Sequence, residues 1–470
     1  MRITNGMINN TMLLNINRNA RRSNDYYVQL ASKQKIQLPS DDPIIAARAL
    51  RFRTNIAETE QYQRNVSQAQ SWTEITSQAF STVTDIIGEI ESKLTTGTTG
   101  TLTAEDRQKI ISDISSLTDQ LKLEMNATYA GRYVFSGYRT DEEPTFIKDS
   151  DEEYRITQSF SKEDMQNLQY YHKANSSDAA SIGEASMIIS PYENAENLTE
   201  VKVGGLTYTV NTKSISDTTS PYDVGDDEVN FIPETGELVL GANVKNAMKS
   251  DDLTVSYDKK GFTKGDLNPK VYFACEDIKT DSDTFGLKYD MEGQNSMEYE
   301  IGVGSTITIN SLAKDTVTSD MVSTLERFVN SLKSVSLSSE QDIRDKYLGA
   351  PHNLTGDALD EAVEEQMKLE ESQNSTVTQI LFSDMLSSID DYASSVSIGE
   401  TNMGSRMSRL ELVSTRLAND LLTYEGLKSD NEEADTIEMT IKFNNAEAAY
   451  QASLSVAGKL SQMTLIDYIS

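Results

Sequence analysis

The helical signal of this chain is divided between its two ends. Heptad-like spacing of apolar residues runs through roughly the first 135 and the last 150 of the 470 residues, and the stretch between them has the alternating pattern of β-strands. Sustained heptads indicate helices that pair along one apolar seam. We therefore predict a mainly α protein, in which paired N- and C-terminal long helices form a coiled-coil rod and a β-rich domain loops out of the middle.

This layout predicts three domains, which agrees with a length of about three units of ~100–200 residues. The first is a terminal coiled-coil assembly domain, built from residues 1–45 and 425–470. The second is a helical bundle domain from residues 46–137 and 316–424. The third is the β-rich domain, residues 138–315, which we expect to face outward.

Capping residues predict where the first long helices begin. Ser40 or Asp41 is a plausible N-cap, and Pro43 suits the first helical turn. Gly97 and Gly100, in a Thr-rich stretch, predict the end of this helix. A second helix is predicted from Thr103, where Thr-Ala-Glu-Asp resembles a capping signal. The short turn between the two favours an antiparallel hairpin.

The second half of the chain returns to helix near Thr316. Residues 334–356 contain two glycines and a proline, so we predict a loop there. A very long heptad-like pattern then runs over residues 363–421, and we expect Gly399 and Gly404 to interrupt it.

The middle of the chain predicts β structure. Residues 230–240 indicate a hairpin with its turn at Thr235-Gly236. Residues 271–274 indicate a further strand. The weakly patterned stretch 159–197 predicts a loop or a short helix.

No catalytic, cofactor or metal site is predicted. The two histidines, His172 and His352, lie far apart and have no metal-ligand spacing, and Cys275 is the single cysteine. A lone thiol in a β-rich region is best explained as a small core residue. The alternating carboxylates of Thr280–Thr284 lack the glycine and distal glutamate of a calcium loop. The sequence therefore favours a protein that is not an enzyme, with no cofactor.

The charge of the chain argues against nucleic acid as a partner. The formal net charge is −32, whereas phosphate binding needs clustered Lys and Arg. Residues 1–53 are the exception, with 9 basic and 3 acidic side chains, against 16 and 35 in residues 139–320. The basic segment either pairs with acidic surfaces in a lattice or is a solvated helix face. No apolar run reaches the ~18 residues of a membrane helix, so no membrane insertion is expected, and no secretory signal is recognisable.

The terminal helices carry the predicted assembly interface. No charge lies between Lys459 and Asp467, so the tail is unusually apolar. It docks either within its own molecule or on neighbouring subunits, and the Asn-rich N-terminal segment favours the second. The predicted interface residues are Ile3, Met7, Leu13, Leu14, Ile16, Ile441, Tyr450, Leu454, Ala457, Leu460, Leu465 and Ile466.

Four terminal stretches resemble the flagellin superfamily and, more closely, its hook–filament junction family. They are Met1–Asn5, Leu38–Leu50, Gly131–Gly137 and Ala446–Leu454, the last followed by Leu465–Tyr468. The residues that match the family motifs are Ser40, Asp41, Asp42, Pro43, Gly131, Arg132 and Gly137. The resemblance covers about 280 residues at the two ends and does not reach most of the middle.

The resemblance implies a structural adaptor of the bacterial flagellum, placed between hook and filament. It implies an extracellular location, reached through the flagellar type III apparatus without a cleaved signal peptide. The implied partners are the first hook–filament junction protein, flagellin, an export chaperone at the C-terminal helix, and further copies of the chain in a ring. The alternatives are flagellin itself, an extracellular binding protein that uses the acidic β domain, and an enzyme with an unrecognised site in the middle.

Overall fold

The computed structural model describes residues 5–99, 103–172, 181–190, 192–217, 219–290, 296–335, 340–349 and 352–469. Within these ranges the fold class is as predicted, mainly α with a β-rich region in the middle and a long helix pair made by the two ends. The helices are α1 Asn5–Ser32, α2 Pro43–Gly97, α3 Ala104–Glu124, α4 Ala242–Ala247, α5 Pro269–Tyr272, α6 Ala313–Thr316, α7 Ser319–Ser334, α8 Glu340–Leu348, α9 Asp357–Glu432 and α10 Thr436–Ile469.

The strands begin after α3. They are β1 Thr128–Tyr129, β2 Arg132–Tyr133, β3 Ser150–Phe160, β4 Gln166–His172, β5 Ser181–Ile189, β6 Glu200–Val203, β7 Leu206–Thr212, β8 Glu228–Ile232, β9 Glu237–Leu240, β10 Leu253–Phe262, β11 Ala274–Asp277, β12 Lys288–Tyr289, β13 Glu298–Gly302 and β14 Ser305–Thr308.

One large sheet forms the centre of the β-rich region. Its order in the described residues is β12-β11-β3-β10-β6-β7-β8-β9-β5-β4. Neighbouring strands are antiparallel except β7 and β8, which are parallel. The longest pairing, β3 with β10, runs from Leu253 opposite Phe160 to Phe262 opposite Ser150, with a bulge near Gly261. The predicted hairpin is confirmed as β8–β9, with Gly236 in its turn at φ +70°.

The chain forms two compact units. Unit 1 contains Met1–Ser67, Glu300–Ser305 and Glu411–Ser470, and unit 2 contains Gln68–Tyr299 and Thr306–Leu410. The predicted division into three domains stays a prediction.

Helix α9 continues through both glycines that were expected to interrupt it, and that prediction is wrong. A Cβ on Gly399 would lie 2.9 Å from Thr316 Cγ2 and 3.0 Å from Phe80 Cε1, so this glycine lets α9 approach its neighbours closely. Around Gly404 nothing lies within 4 Å of such a Cβ. Neither position needs a helix break, since a single glycine weakens a helix by only about 1 kcal/mol.

This contrast predicts opposite effects for one substitution within the same helix. Gly404→Ala should raise the stability of unit 2 by about 0.5–1 kcal/mol, because alanine orders the backbone at no steric cost. Gly399→Ala should give no gain or a loss, because the added methyl group meets buried side chains. Thermal unfolding of the two variants measures this, and a larger gain at Gly399 would contradict the packing.

Residues 334–356, predicted as a loop, contain helix α8. Ile343 of α8 packs against Leu359 and Val363 of α9 in a small separate core, and Arg344 Nη1 lies 2.6 Å from Asp360 Oδ1. The glycines and proline that suggested a loop follow the helix, and its own pattern is too short to stand out.

Two predictions in the β-rich region are also wrong. The stretch 159–197 contains strands β4 and β5, which pair along their length and share the buried side chains of Leu168, Met187 and Ile189. The first two residues of 271–274 lie in α5, because the Asn268 side chain accepts a hydrogen bond from the backbone N–H of Lys270 and caps the turn. Strand β11 begins only at Ala274.

Candidate assembly interface

Helices α1 and α10 pack against each other in opposite directions. Asn19 Nδ2 donates to Ser453 Oγ at 2.6 Å, and the rings of Tyr27 and Phe443 lie 6.1 Å apart. The position on α10 therefore falls as the position on α1 rises. The predicted pairing of the termini is thus confirmed within unit 1.

The connection from α1 to α2, residues 33–42, lies beside the break between α9 and α10, residues 433–435. We call the two segments together the joint. The backbone N–H of Lys35 donates to Glu432 O at 2.7 Å, and that of Ala434 donates to Lys33 O at 2.9 Å. These bonds form a single antiparallel bridge between Gln34 and Glu433. The last carbonyl groups of a helix have no hydrogen-bond partner within the helix, and at the end of α9 the N–H of Lys35 supplies one for Glu432 O.

The Ser-Asp-Asp-Pro motif organises the joint, but the N-cap is not where it was expected. Asp42 Oδ1 accepts from the backbone N–H groups of Ile44 and Ile45, at 2.9 and 3.1 Å, so Asp42 caps α2 rather than Ser40 or Asp41. Asp41 Oδ2 accepts instead from the N–H of Leu38 at 2.8 Å and closes the preceding turn. Pro43 is the first residue of α2, as predicted.

The second family motif forms the tight turn between β1 and β2. Ala130 and Gly131 occupy it with φ of +50° and +78°, the signs that a two-residue hairpin requires. Arg132 is exposed, while Gly137 is buried with φ +64°.

Most of the described side chains of the predicted interface lie on the surface of unit 1. Met7, Leu13, Leu14, Ile441 and Leu454 are between 45% and 68% exposed. Three others are half-buried in the α1–α10 pair, namely Ile16, Tyr450 and Ala457. Four lie outside the described residues or side chains, namely Ile3, Leu460, Leu465 and Ile466. The exposed set is available for contacts with other chains, and its role as an interface stays a prediction.

The sequence reasoning missed further exposed apolar residues on the same unit. They are Ile8, Tyr27, Leu38, Ile44, Leu50, Val303, Leu412, Leu422, Leu427, Ile437 and Val456. The sequence pattern that could have revealed those in helices is an apolar residue outside the main heptad stripe. A helix with a single partner would carry a polar residue at such a position. Scattered exposed apolar residues are normal on a monomer, whereas many on one unit are the pattern expected of an interaction surface, and this role stays a prediction.

A cavity of about 880 Å³ lies along the α1–α10 pair. Its lining is mainly apolar and includes Met7, Met12, Ile16, Ala449 and Val456. Two helices in contact leave such a groove when their apolar faces are wider than one partner can cover.

The two halves of unit 1 carry opposite charge. Residues 1–53 have 9 basic and 3 acidic side chains, and residues 411–470 have 4 basic and 10 acidic ones. One ion pair joins the halves at the joint, where Arg53 Nη2 lies 2.8 Å from Glu432 Oε2. The Glu432 side chain is 8% exposed, and that of Arg53 is 57% exposed.

Outside the terminal helices, the residues considered for chemistry have structural surroundings. Cys275 is buried in β11, as predicted, and burial raises the pKa of its thiol to about 12. His172 Nε2 lies 2.8 Å from Ile215 O. The described residues contain no group of His, Cys, Asp and Glu that could hold a metal ion. None of the helices in the described ranges has the length and hydropathy that a bilayer crossing needs.

The thiol of Cys275 should be unreactive in the folded chain. A pKa of about 12 instead of 9.0 lowers the thiolate fraction at pH 8 about a thousand-fold, and burial hinders access further. Ellman's reagent at pH 8 should therefore label the native chain at least a thousand-fold more slowly than the chain in denaturant. Similar rates in the two conditions would show that the thiol is not buried.

Comparison with known families matches the N-terminal part of the chain. The family described as bacterial flagellin N-terminal helical region covers residues 3–140, which contain α1 to α3 and the β1–β2 hairpin. Residues 3–140 are thus similar to a flagellin N-terminal helical region. The resemblance stated from the sequence is thereby confirmed over this region, which includes the Ser-Asp-Asp-Pro and Gly131–Gly137 motifs. The resemblance of residues 446–468 stays a prediction.

Two curated relatives carry the name flagellar hook-associated protein 3. The chain is 33% identical to the one from Escherichia coli over 120 residues, which are 25% of this chain and 38% of the relative. It is 32% identical to the one from Salmonella typhimurium over 117 residues, 25% of this chain and 37% of the relative. The match thus spans little more than a third of either relative.

Solved structures with weak overall likeness include a putative flagellar hook-associated protein from Vibrio parahaemolyticus. Its TM-score is 0.37 at 12% identity, covering 84% of this chain and 100% of that one. FlgL from Xanthomonas campestris gives a TM-score of 0.31 at 10% identity, covering 80% of this chain and 98% of that one.

Proposed function

We propose that this chain is a structural subunit of the bacterial flagellum that assembles between hook and filament. The observation that carries the proposal is the exposed apolar surface of unit 1, which includes the pair of α1 and α10; α1 lies in the stretch that matches a flagellin N-terminal helical region. Leu14 is 68% exposed and Ile437 is 74% exposed. The free energy falls when a neighbouring subunit removes such apolar side chains from water. Repeated head-to-tail contacts of this kind build rings and helical lattices.

The partners follow from the position of such a subunit. On the hook side it contacts the first hook–filament junction protein, and on the filament side it contacts flagellin. Copies of the chain associate with one another in a ring. An export chaperone holds the C-terminal helix before the chain leaves the cell through the flagellar type III apparatus. The name of the curated relatives supports the junction position, and the pairing of α1 with α10 supports the role of both ends in assembly.

Electron microscopy of cells that lack the gene, with flagellin measured in the medium, tests the proposal. We expect hooks without filaments and flagellin shed into the medium, both reversed by a plasmid copy. Intact hooks with no flagellin in the medium would instead make this chain the filament subunit. Normal filaments would exclude both flagellar functions.

An extracellular binding function is a second candidate, carried by the acidic β-rich region, with its 35 acidic and 16 basic residues over residues 139–320. Such a protein would bind a defined ligand whether or not flagella are present. Normal filaments in the deletion strain would favour it over the junction role.

A further inference from the structure

We propose that the joint of one copy binds an arginine side chain of α1 from a second copy. This inference rests on the proposed function, because it names the partner of a surface that only an assembled subunit would use. It assigns a site beside the Ser-Asp-Asp-Pro segment, whose Pro43 lines the groove together with Leu38 and Pro39.

The site is an apolar groove of about 450 Å³ within unit 1. Eight of its twelve lining residues are apolar, among them Leu38, Pro39, Pro43, Ala46 and Leu50. Leu38 is 61% exposed and Leu50 is 68% exposed, so the rim is open to a second molecule. Apolar walls of this size suit the aliphatic part of a long side chain.

A buried carboxylate oxygen lies in the same groove. Glu432 lines it with a side chain that is 8% exposed. Its Oε2 binds Arg53 Nη2 at 2.8 Å, but its Oε1 is buried without a hydrogen-bond partner among the described residues. A buried carboxylate oxygen without a donor is costly, so the groove favours a ligand that brings one.

An arginine side chain has both properties that the groove requires. Its three methylene groups can lie along Pro39 and Ala46, while its planar guanidinium donates to Glu432 Oε1. One carboxylate can accept from two guanidinium groups, since each oxygen has its own lone pairs. The repulsion from Arg53 is weakened by solvent, because that side chain is 57% exposed.

Charge complementarity identifies the second copy as the source. Glu432 is the acidic residue that lines the groove, and Asp430, Glu433 and Asp435 lie beside it in the sequence, which makes four acidic residues in a span of six. The basic part presents three exposed arginines on α1, namely Arg18, Arg21 and Arg22. These arginines precede the first residue of the groove, Gln34, so each copy carries the groove and its ligand at separate positions, as a repeating head-to-tail contact requires.

Site-specific cross-linking in assembled flagella tests the contact. Cells lacking the gene would express two tagged forms, both with Cys275→Ala, one with Leu50→Cys at the groove and the other with Asp25→Cys on α1. Asp25 lies three and four residues beyond Arg22 and Arg21 and so shares their helix face. We expect a short bismaleimide to give a covalent dimer that carries both tags in isolated hooks with attached filaments.

Two controls separate failure of the contact from failure of the proposed function. The pair Asn19→Cys and Ser453→Cys, placed in one chain, should cross-link internally, because the native side chains are 2.6 Å apart. Leu206→Cys in unit 2 should give no dimer with Asp25→Cys. If the internal cross-link forms and filaments stay attached, but no groove dimer appears, the inference is wrong and the junction role stands. If the chain is absent from the isolated hooks, both fail.

Paired substitutions give a second readout. Glu432→Gln and the triple change of Arg18, Arg21 and Arg22 to Gln should each lower the fraction of hooks that bear filaments about ten-fold, as expected for a charge-assisted contact. Combined, they should lower it no further, because they remove the same contact. Arg53→Gln is the matched control for the internal ion pair. If the loss in the combined variant equals the product of the two separate losses, the groove and the arginines act on different partners and the inference is wrong.

Discussion

The variant Leu14→Glu should fold like the parent chain and fail to assemble. Leu14 is 68% exposed on α1, and leucine and glutamate have similar helix propensities, so the free energy of unfolding should change by less than about 0.5 kcal/mol. In a subunit contact, the same change buries an unpaired charge. We therefore expect the fraction of hooks that bear filaments in complemented cells to fall at least ~30-fold, as for loss of an interface anchor.

The matched control for this variant is Leu206→Glu in β7 of unit 2. Leu206 is 58% exposed, so both variants replace an exposed leucine by glutamate, one on each unit. Urea unfolding measures whether each variant is folded, and electron microscopy counts filaments. Equal loss of filaments in both variants would contradict the assignment of assembly to the terminal helices. No loss in Leu14→Glu would place Leu14 outside the interface.

The second large effect concerns a buried ion pair in unit 2. Glu237 of β9 is 1% exposed and Arg327 of α7 is 5% exposed, and they form an ion pair across 90 residues of sequence. The other Glu237 oxygen, Oε2, accepts from the hydroxyls of Tyr222 and Thr235, each at 2.8 Å. Arg327 Nη2 also donates to Gln169 O at 3.0 Å in β4. This network ties α7 to the sheet and pairs the two buried charges with each other.

Arg327→Met should destabilise unit 2 by about 3–5 kcal/mol, because it leaves the Glu237 carboxylate buried without its counter-ion. Arg327→Met with Glu237→Leu should recover most of this loss, since the remaining charge is removed. Urea unfolding of the single and double variants measures both values. An exposed pair gives the comparison: Glu364→Ala, which removes the partner of Lys368 on α9, should cost less than about 0.5 kcal/mol. If Arg327→Met lowered the free energy of unfolding as little as Glu364→Ala does, the burial of the pair would be contradicted.

The sequence was sufficient for features whose cause is local or periodic. The heptads predicted α2 and α9, the Thr-Ala-Glu-Asp signal predicted the start of α3, where Thr103 Oγ1 accepts from the N–H of Asp106 at 3.2 Å, and Gly236 marked a hairpin turn. Each of these features depends on residues within a few positions of one another, so a local sequence pattern is enough to predict it.

Features that depend on partners distant in sequence could not be predicted in the same way. Gly399 suggested a helix break, but its role is set by Phe80 and Thr316, which no local pattern connects to it. The ion pair of Glu237 with Arg327 likewise forms only when distant segments meet. The same holds for the burial of Glu432 Oε1 without a hydrogen-bond partner among the described residues. In the candidate interface, the apolar stripe could be predicted from the heptads, but which of its members remain exposed after α1 and α10 pair could not.

The proposed position of this chain, at the junction between hook and filament, can be observed directly. Immunogold labelling of isolated flagella, with an epitope tag inserted in the exposed turn at Gly205 of unit 2, would show where the chain lies. We expect gold confined to the point where hook meets filament. Labelling along the whole filament, or none on flagella that are otherwise intact, would contradict this position.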